Sequence, residues 1–257
     1  MDGGTFQACA SPKQYFLLSD SEGQHTFQVR AKNASGAVDP IPAQYTWTVD
    51  SIDPKITFTE RPGTATGPRS YDEWITNDRS PSWAWTVWDV NLVPGSSIDC
   101  ELYDDTNNRY ILDYDSVCSS PFTFEGELPD ADYMFGLSTE DKAGNYGCRY
   151  NYFQVDTVAP KVSAMKPTGS LVGRYANVVV NFDDTVYGSE QFVNIYRKGT
   201  TTPLAVYRSY GNDSKKVELS PKSALKPATW YTVKVTTGVT DGANNLEVPK
   251  TWSFKTK

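Results

Sequence analysis

One hairpin plan occurs three times in this chain, and it limits the fold more than any other feature. The first copy reads Gly23-Gln24-His25-Thr26-Phe27-Gln28-Val29, turns at Asn33-Ala34-Ser35-Gly36, and closes on Tyr45-Thr46-Trp47-Thr48-Val49-Asp50. The second runs from Tyr133 through Asp141-Lys142-Ala143-Gly144-Asn145 to Tyr152-Phe153-Gln154-Val155-Asp156. The third runs from Trp230 through Asp241-Gly242-Ala243-Asn244-Asn245 to Trp252-Ser253-Phe254. Apolar and polar residues alternate with the period of a half-buried strand, and Asn, Asp and Gly supply the turns. The first two copies leave through a short Asp-containing linker closed by Pro54 or Pro160. A proline holds the residue before it in extended geometry, so these linkers have little slack.

Repetition on this scale predicts an all-β chain of tandem immunoglobulin-like β-sandwich modules, the first one incomplete. The expected segments are residues 1–54, 55–158 and 159–257. The first segment is too short to cover both faces of a core. It is expected to be ordered only through contacts with another chain or with the second module. Its missing strands either precede it in the native protein or are donated by a neighbouring subunit, because open strand edges recruit partners. The segment Trp83-Ala84-Trp85-Thr86-Val87-Trp88 puts Trp83 and Trp85 on one strand face and Trp88 on the other. No stretch reads as a helix long enough to matter.

Several function classes drop out on composition. A net charge of −7 argues against nucleic acid, which needs a basic face. His25 is the single histidine, which removes His-based triads and multi-His zinc sites. The four cysteines form no C-x-x-C pair. No apolar run reaches the length of a transmembrane helix. Met1-Asp2-Gly3-Gly4 has neither the basic region nor the apolar core of a leader, so a leader for export is expected outside these residues.

The runs Asp2-Gly3-Gly4-Thr5-Phe6-Gln7-Ala8-Cys9-Ala10-Ser11-Pro12, Gly23 to Ala31 and Ala43 to Asp50 resemble bacterial Ig-like repeats of large secreted and surface proteins. In such repeats a Cys two residues before the Asp-Gly pairs with the Cys before Ser-Pro. By that resemblance the partner of Cys9 lies upstream of Met1, whereas the second module retains both positions as Cys100 and Cys118-Ser119-Ser120-Pro121. The resemblance thus implies a Cys100–Cys118 disulfide and an oxidising compartment, and it leaves Cys9 and Cys148 unpaired. Closing such a loop stabilises by roughly 3 kcal/mol in the chain-entropy account. The third segment resembles a second bacterial Ig-like type, from surface-layer and adhesin-like proteins. It carries Ala159-Pro160-Lys161-Val162, Pro167-Thr168-Gly169, Leu219-Ser220-Pro221, Leu225-Lys226-Pro227 and Asp241 to Asn245.

The Asp loops have two readings. As structure, each Asp caps nearby backbone amides while Gly or Asn turns the chain. By resemblance, related turns and linkers of adhesin arrays hold Ca²⁺ between modules. The oxygens for a structural Ca²⁺ would come from Asp141, Asp156, Asp50 and Asp53, fewer than the six to eight that Ca²⁺ takes. Acid pairs such as Asp104-Asp105 and Asp183-Asp184 read as solvated loop acids rather than a glycosidase pair. Asn33-Ala34-Ser35 and Asn212-Asp213-Ser214 fit the glycosylation sequon, which counts in a eukaryotic source. The expected protein is a non-catalytic segment of a long extracellular or cell-surface protein: a stalk, fibre or adhesin that spaces and presents other domains. Its partners would be neighbouring modules or subunits and surface glycans. The alternatives are a carbohydrate-binding module, or an accessory region of a larger secreted enzyme.

Overall fold

The computed structural model describes residues 1–16, 21–65, 73–92, 97–187, 189–210 and 215–257. Its order is all β apart from one four-residue helical turn, α1 (Ser189–Phe192). The first module contributes β1 (Gly23–Val29) and β2 (Ala43–Val49), an antiparallel pair with His25 opposite Trp47 and Phe27 opposite Tyr45. These rings share one face. The other face is polar, with Thr26 bonded to Thr46 at 3.3 Å and Gln28 to Gln44 at 2.9 Å. Among the described residues these two strands make a sheet of their own, and Tyr45 remains 68% exposed. Residues 1–16 give the aromatic face partial cover: the Tyr15 ring lies 5.8 Å from Phe27, and Asp2 accepts the Thr26 amide at 2.7 Å.

The second module holds β3 (Lys55–Glu60), β4 (Thr64–Ala65), β5 (Glu73–Thr76), β6 (Ser82–Trp88), β7 (Ile98–Asp104), β8 (Arg109–Cys118), β9 (Phe122–Thr123), β10 (Ala131–Glu140) and β11 (Tyr146–Val155). They form two sheets, β3-β6-β9 and β4-β5-β11-β10-β7-β8. The third module holds β12 (Val162–Lys166), β13 (Gly169–Val172), β14 (Val178–Phe182), β15 (Val193–Arg197), β16 (Val206–Tyr210), β17 (Lys216–Pro221), β18 (Trp230–Val235) and β19 (Lys250–Thr256), in sheets β12-β14-β17-β16 and β13-β19-β18-β15. In both sandwiches the opening strands divide between the two sheets: β5 runs parallel to β11, and β13 runs parallel to β19. Each first sheet is thereby tied covalently to the second.

Burial follows the alternation seen in sequence. Trp83 and Trp85 are buried while Trp88 stands 64% exposed, so the face that carries Trp83 and Trp85 is the core face. Trp83 packs face to face on Phe135 at 4.1 Å and edge-on to Phe153 at 5.2 Å. Its indole N–H has to be satisfied in that apolar setting, and Asn151 Oδ1 accepts it at 2.8 Å. The third core is mainly aliphatic, from Val178, Val180, Ile195, Leu219 and Val233, closed by Phe254. Cys100 and Cys118 are joined across β7 and β8, with Cα atoms 5.8 Å apart.

Each hairpin also begins with the same corner. Tyr133 donates its hydroxyl to the Pro129 carbonyl four residues upstream, at 2.8 Å. Tyr231 uses its hydroxyl to accept the Lys226 amide at 2.8 Å. Such tyrosine corners are a mark of immunoglobulin-like sandwiches. In the first module His25 takes the position: its Nε2 donates to the Ser21 carbonyl at 2.7 Å, and its Nδ1 meets Asp2 at 2.9 Å. The sole histidine is therefore a structural corner residue.

Trp83→Ala should cost about 3–5 kcal/mol of second-module stability, through lost burial and a cavity the stacked rings cannot fill. Asn151→Leu should cost about 1–3 kcal/mol by leaving the indole N–H unpaired. Equilibrium denaturation followed by tryptophan fluorescence reads both; a loss under 1 kcal/mol for Asn151→Leu would show that the indole finds another acceptor.

Candidate functional site at the module junctions

The turn residues of the repeated hairpin meet the linker of the module before. In the second module the turn between β10 and β11 folds around Asp141. Its Oδ1 accepts the Ala143 and Asn145 amides at 2.7 and 2.9 Å, and its Oδ2 accepts Asn145 Nδ2 at 2.8 Å. Asn145 Nδ2 also reaches the Asp50 carbonyl in the preceding linker, at 3.1 Å. Asn91, just after β6, donates to Asp50 Oδ2 at 2.5 Å. Gly147 lies so close to the linker that a Cβ there would stand 2.0 Å from the Pro54 carbonyl oxygen. On the other side of the linker, Ser51 bonds Glu22 of the first module through both its amide and its hydroxyl.

The next junction repeats this arrangement. Asp241 Oδ1 accepts the Ala243 and Asn244 amides at 2.8 and 2.6 Å, and Asn244 Nδ2 donates to the Asp156 carbonyl at 2.8 Å. Asn77, after β5, adds a bond to Asn244 Oδ1 at 3.3 Å. Below it, Thr157 is held by Asp130. The sequence pairs Asn145 with Asn245 by distance from the loop Asp, but the third loop closes one residue sooner and Asn244 takes the role. Both loops thus satisfy their own amides with an Asp and spend one side-chain amide on a backbone carbonyl of the linker.

Each junction gathers three carboxylates from equivalent places: the linker, the end of the strand paired with the module's opening strand (β6 or β14), and the loop. At the first these are Asp50, Asp89 and Asp141, each with an oxygen within 4.8 Å of the others. Among the described residues this is the one carboxylate group that converges in this way, and it can hold a metal ion. Asp89 escaped the sequence reading; the signal was the Asp that follows both β6 and β14. Asp53 is exposed in the linker and outside the group. At the second junction Asp156, Asp184 and Asp241 line a cavity of about 480 Å³ instead.

The two loop acids titrate in opposite directions. Burial pushes Asp141 up, but the side-chain and backbone N–H groups of Asn145, with Ala143 and Gly144, outweigh it and hold the carboxyl below 3.8. Asp241 is raised above 3.8 by burial, with Asp184 adding to the shift against its loop amides. Asp156 is raised by burial and by Asp241, Asp184 and Asp130.

The other candidate residues have ordinary settings. Asp104 corrects the expectation of a solvated loop acid: it is fully buried and held by Asn107 and Arg109 in the β7–β8 turn, so it closes a hairpin. Cys9 and Cys148 are free and exposed. Asn33 is exposed and caps its own turn by accepting the Ser35 hydroxyl and the Ala37 amide. Asn212 lies outside the described residues. No helix among the described residues is long and apolar enough to cross a membrane.

Two stacked, mainly antiparallel sheets with a tyrosine corner define the second and third modules as immunoglobulin-like. Residues 156–256 match the model of a family described as bacterial Ig-like domain. No curated protein matches the chain. Among solved structures the chain is similar to titin domains I67–I69 at 11% identity and TM-score 0.37, covering 80% of this chain and 66% of that one. It is also similar to chicken CNTN1 domains FN1–FN3 at 11% identity and TM-score 0.40, covering 90% and 76%. A two-domain fibronectin type III segment of chicken tenascin gives 15% identity and TM-score 0.31, covering 80% and 100%. Likeness at these levels assigns this chain neither partner nor activity.

Acid should separate the junctions. The Asp141 contribution is present above the ordinary carboxylate value of 3.8 and is lost as pH falls below it, through the lowered folded value. For Asp156 and Asp241 the ionised forms carry a penalty, which is relieved as pH falls through their raised values toward 3.8. Corrected hydrogen-exchange protection at Ala143 and Asn145 should therefore drop below pH 3.8, while protection at Ala243 and Asn244 holds or rises. Parallel behaviour of the two loops would refute the difference in their charge environments.

Proposed function

We propose that this chain is a non-catalytic spacer segment of a longer extracellular or cell-surface protein, a stalk or fibre that fixes the separation and orientation of the domains it carries. The observation that carries the reading is the repeated latch, in which Asn145 bonds the Asp50 carbonyl and Asn244 bonds the Asp156 carbonyl. A linker gripped by the following module transmits orientation, whereas a free linker only tethers. The disulfide supports an oxidising compartment. The segments proposed are residues 1–54, 55–158 and 159–257.

The first junction is proposed to bind a metal ion, Ca²⁺, a hard cation suited to carboxylate oxygens. Asp50, Asp89 and Asp141 would supply three ligands, and backbone carbonyls or water the rest. Bound there, Ca²⁺ would neutralise the converging charges and stiffen the linker. The open aromatic face of β1 and β2 is proposed to be completed by a further sheet, from adjoining sequence or from strands of a neighbouring subunit. Light scattering of the intact chain decides between these: a dimer that protects the residues before Asp50 from protease supports the subunit, and a monomer cleaved there rejects it.

Pulsed dipolar spectroscopy between spin labels on the second and third modules tests the spacer reading. A narrow distance distribution is expected, broadening in Asn244→Ala without loss of either module's fold. A distribution already broad in the unaltered protein would overturn it. Calcium at 100-fold its dissociation constant should add about 2.7 kcal/mol of stability, and Asp89→Asn together with Asp141→Asn should abolish the gain. An equal gain in that variant would place the ion elsewhere.

A further inference from the structure

The outer face of the larger sheet in the second module is built in a way that packing does not require. Cross-strand register arranges it in rows. One row runs Tyr150, Gly136, Glu101, and the next runs Tyr152, Met134, Tyr103, Tyr110. Tyr146 extends the array along β11 and Tyr114 along β8. Tyr110 and Tyr150 stand 49% and 42% exposed. The rings are mutually ordered: Tyr103 meets Tyr110 edge-on at 4.9 Å, and Tyr110 meets Tyr114 at 6.4 Å. An ordered aromatic surface loses little entropy when a partner covers it.

Glu101 sits at the centre. Because residue 136 is glycine, the Glu101 side chain lies across the sheet there; a Cβ at 136 would be 2.6 Å from its Oε1 and 3.0 Å from the Tyr150 ring. The carboxyl is half-buried and raised in pKa by that burial, and it has no hydrogen bond or ion pair among the described residues. Outward strand positions add Asp99, Asp132 and Glu140, and none of these positions holds Lys, Arg or His. The face is therefore an aromatic surface with uncompensated negative charge.

It also leads into the cavity at the junction of the second and third modules. Tyr152, Asp132 and Gln154 belong to both, and the cavity adds Asp105, Asp156, Asp184 and Asp241 with no basic side chain in its walls. Lys215 approaches Asp184 at 3.7 Å but does not line the cavity. Tyrosine faces attract cations, and a partly desolvated carboxylate without a partner gains most from a positive one. A neutral sugar would cover the rings and leave those carboxylates unanswered. An extended polypeptide repeats its side chains every second residue, the same period as the rows of the sheet beneath it.

We propose that this tyrosine face and the acidic cavity at its foot form a docking track for an extended, lysine- or arginine-bearing segment of a partner protein. The inference goes beyond the spacer reading and does not need stiff junctions. The test uses the full chain in EDTA, so that divalent ions do not compete. The probes are a fluorescently labelled octapeptide of alternating Lys and Ser, the Glu-Ser counterpart, and a neutral glucose hexamer. The Lys-Ser peptide should bind and weaken as salt rises. Glu101→Gln and Tyr150→Ala should each raise its Kd by about fivefold at unchanged melting temperature, while Glu125→Gln, an acid elsewhere on the surface, leaves it unaltered. The Glu-Ser peptide and the hexamer should not bind. Three outcomes overturn the proposal: equal Kd values in all variants, a Glu125→Gln effect as large as that of Glu101→Gln, or hexamer binding that Tyr150→Ala abolishes. The last would make the face a glycan site.

Discussion

An apolar sheet face has to be covered, and this constraint orders the whole chain. In the second module Trp83 meets that need by stacking on Phe135 between two sheets, with Asn151 accepting the indole N–H hydrogen bond. In the third module valine and isoleucine fill the same space. The first module has the same kind of strands, with His25, Phe27, Tyr45 and Trp47 on one side, and no second sheet among the described residues. Residues 1–16 cover this face only in part: Tyr15 meets Phe27, while Tyr45 stays exposed.

The acids are the second organising element, and their roles depend on local geometry rather than on residue type. Asp104 is buried to close a hairpin. Asp141 and Asp241 collect loop amides, but only Asp141 converges with two further carboxylates. Asp241 faces Asp184 and Asp156 across an open cavity; Asp156 accepts the Val158 amide and Asp184 the Thr185 amide, yet burial and the neighbouring carboxylates still hold the pKa of Asp156 and Asp241 up. The same loop motif therefore makes a compact charge cluster at one junction and an acidic cleft at the other.

Which Trp face is buried came from the structure, but period-two alternation was enough to read the main strands, to set Trp83 and Trp85 on the face opposite Trp88, and to mark the first module as incomplete. These depend on local pattern, which a strand writes directly into sequence. The junctions were harder to read, because the partner of each loop is a backbone carbonyl about ninety residues earlier. A carbonyl has no signature in the sequence, so Asn145 looked like a turn residue and Asn244 was passed over for Asn245. Asp89 was missed for a related reason: its two partners come from the linker and from a distant turn. The tyrosine face is likewise a property of register, since Tyr150 and Glu101 become neighbours only once Gly136 is placed between them.

Both latches address the main chain of the linker, not its side chains. A carbonyl oxygen is offered by every residue type, so the recognition carries over to any preceding module that ends at the same height before its proline. The interface then behaves as a standard coupling. Modules with unrelated cores, such as the aromatic second and the aliphatic third, can be joined, exchanged or duplicated during evolution without a matched change on the other side. What selection must keep is the count of residues between the last strand and the proline, together with one asparagine; at the first junction the glycine at 147 also lets the two backbones touch.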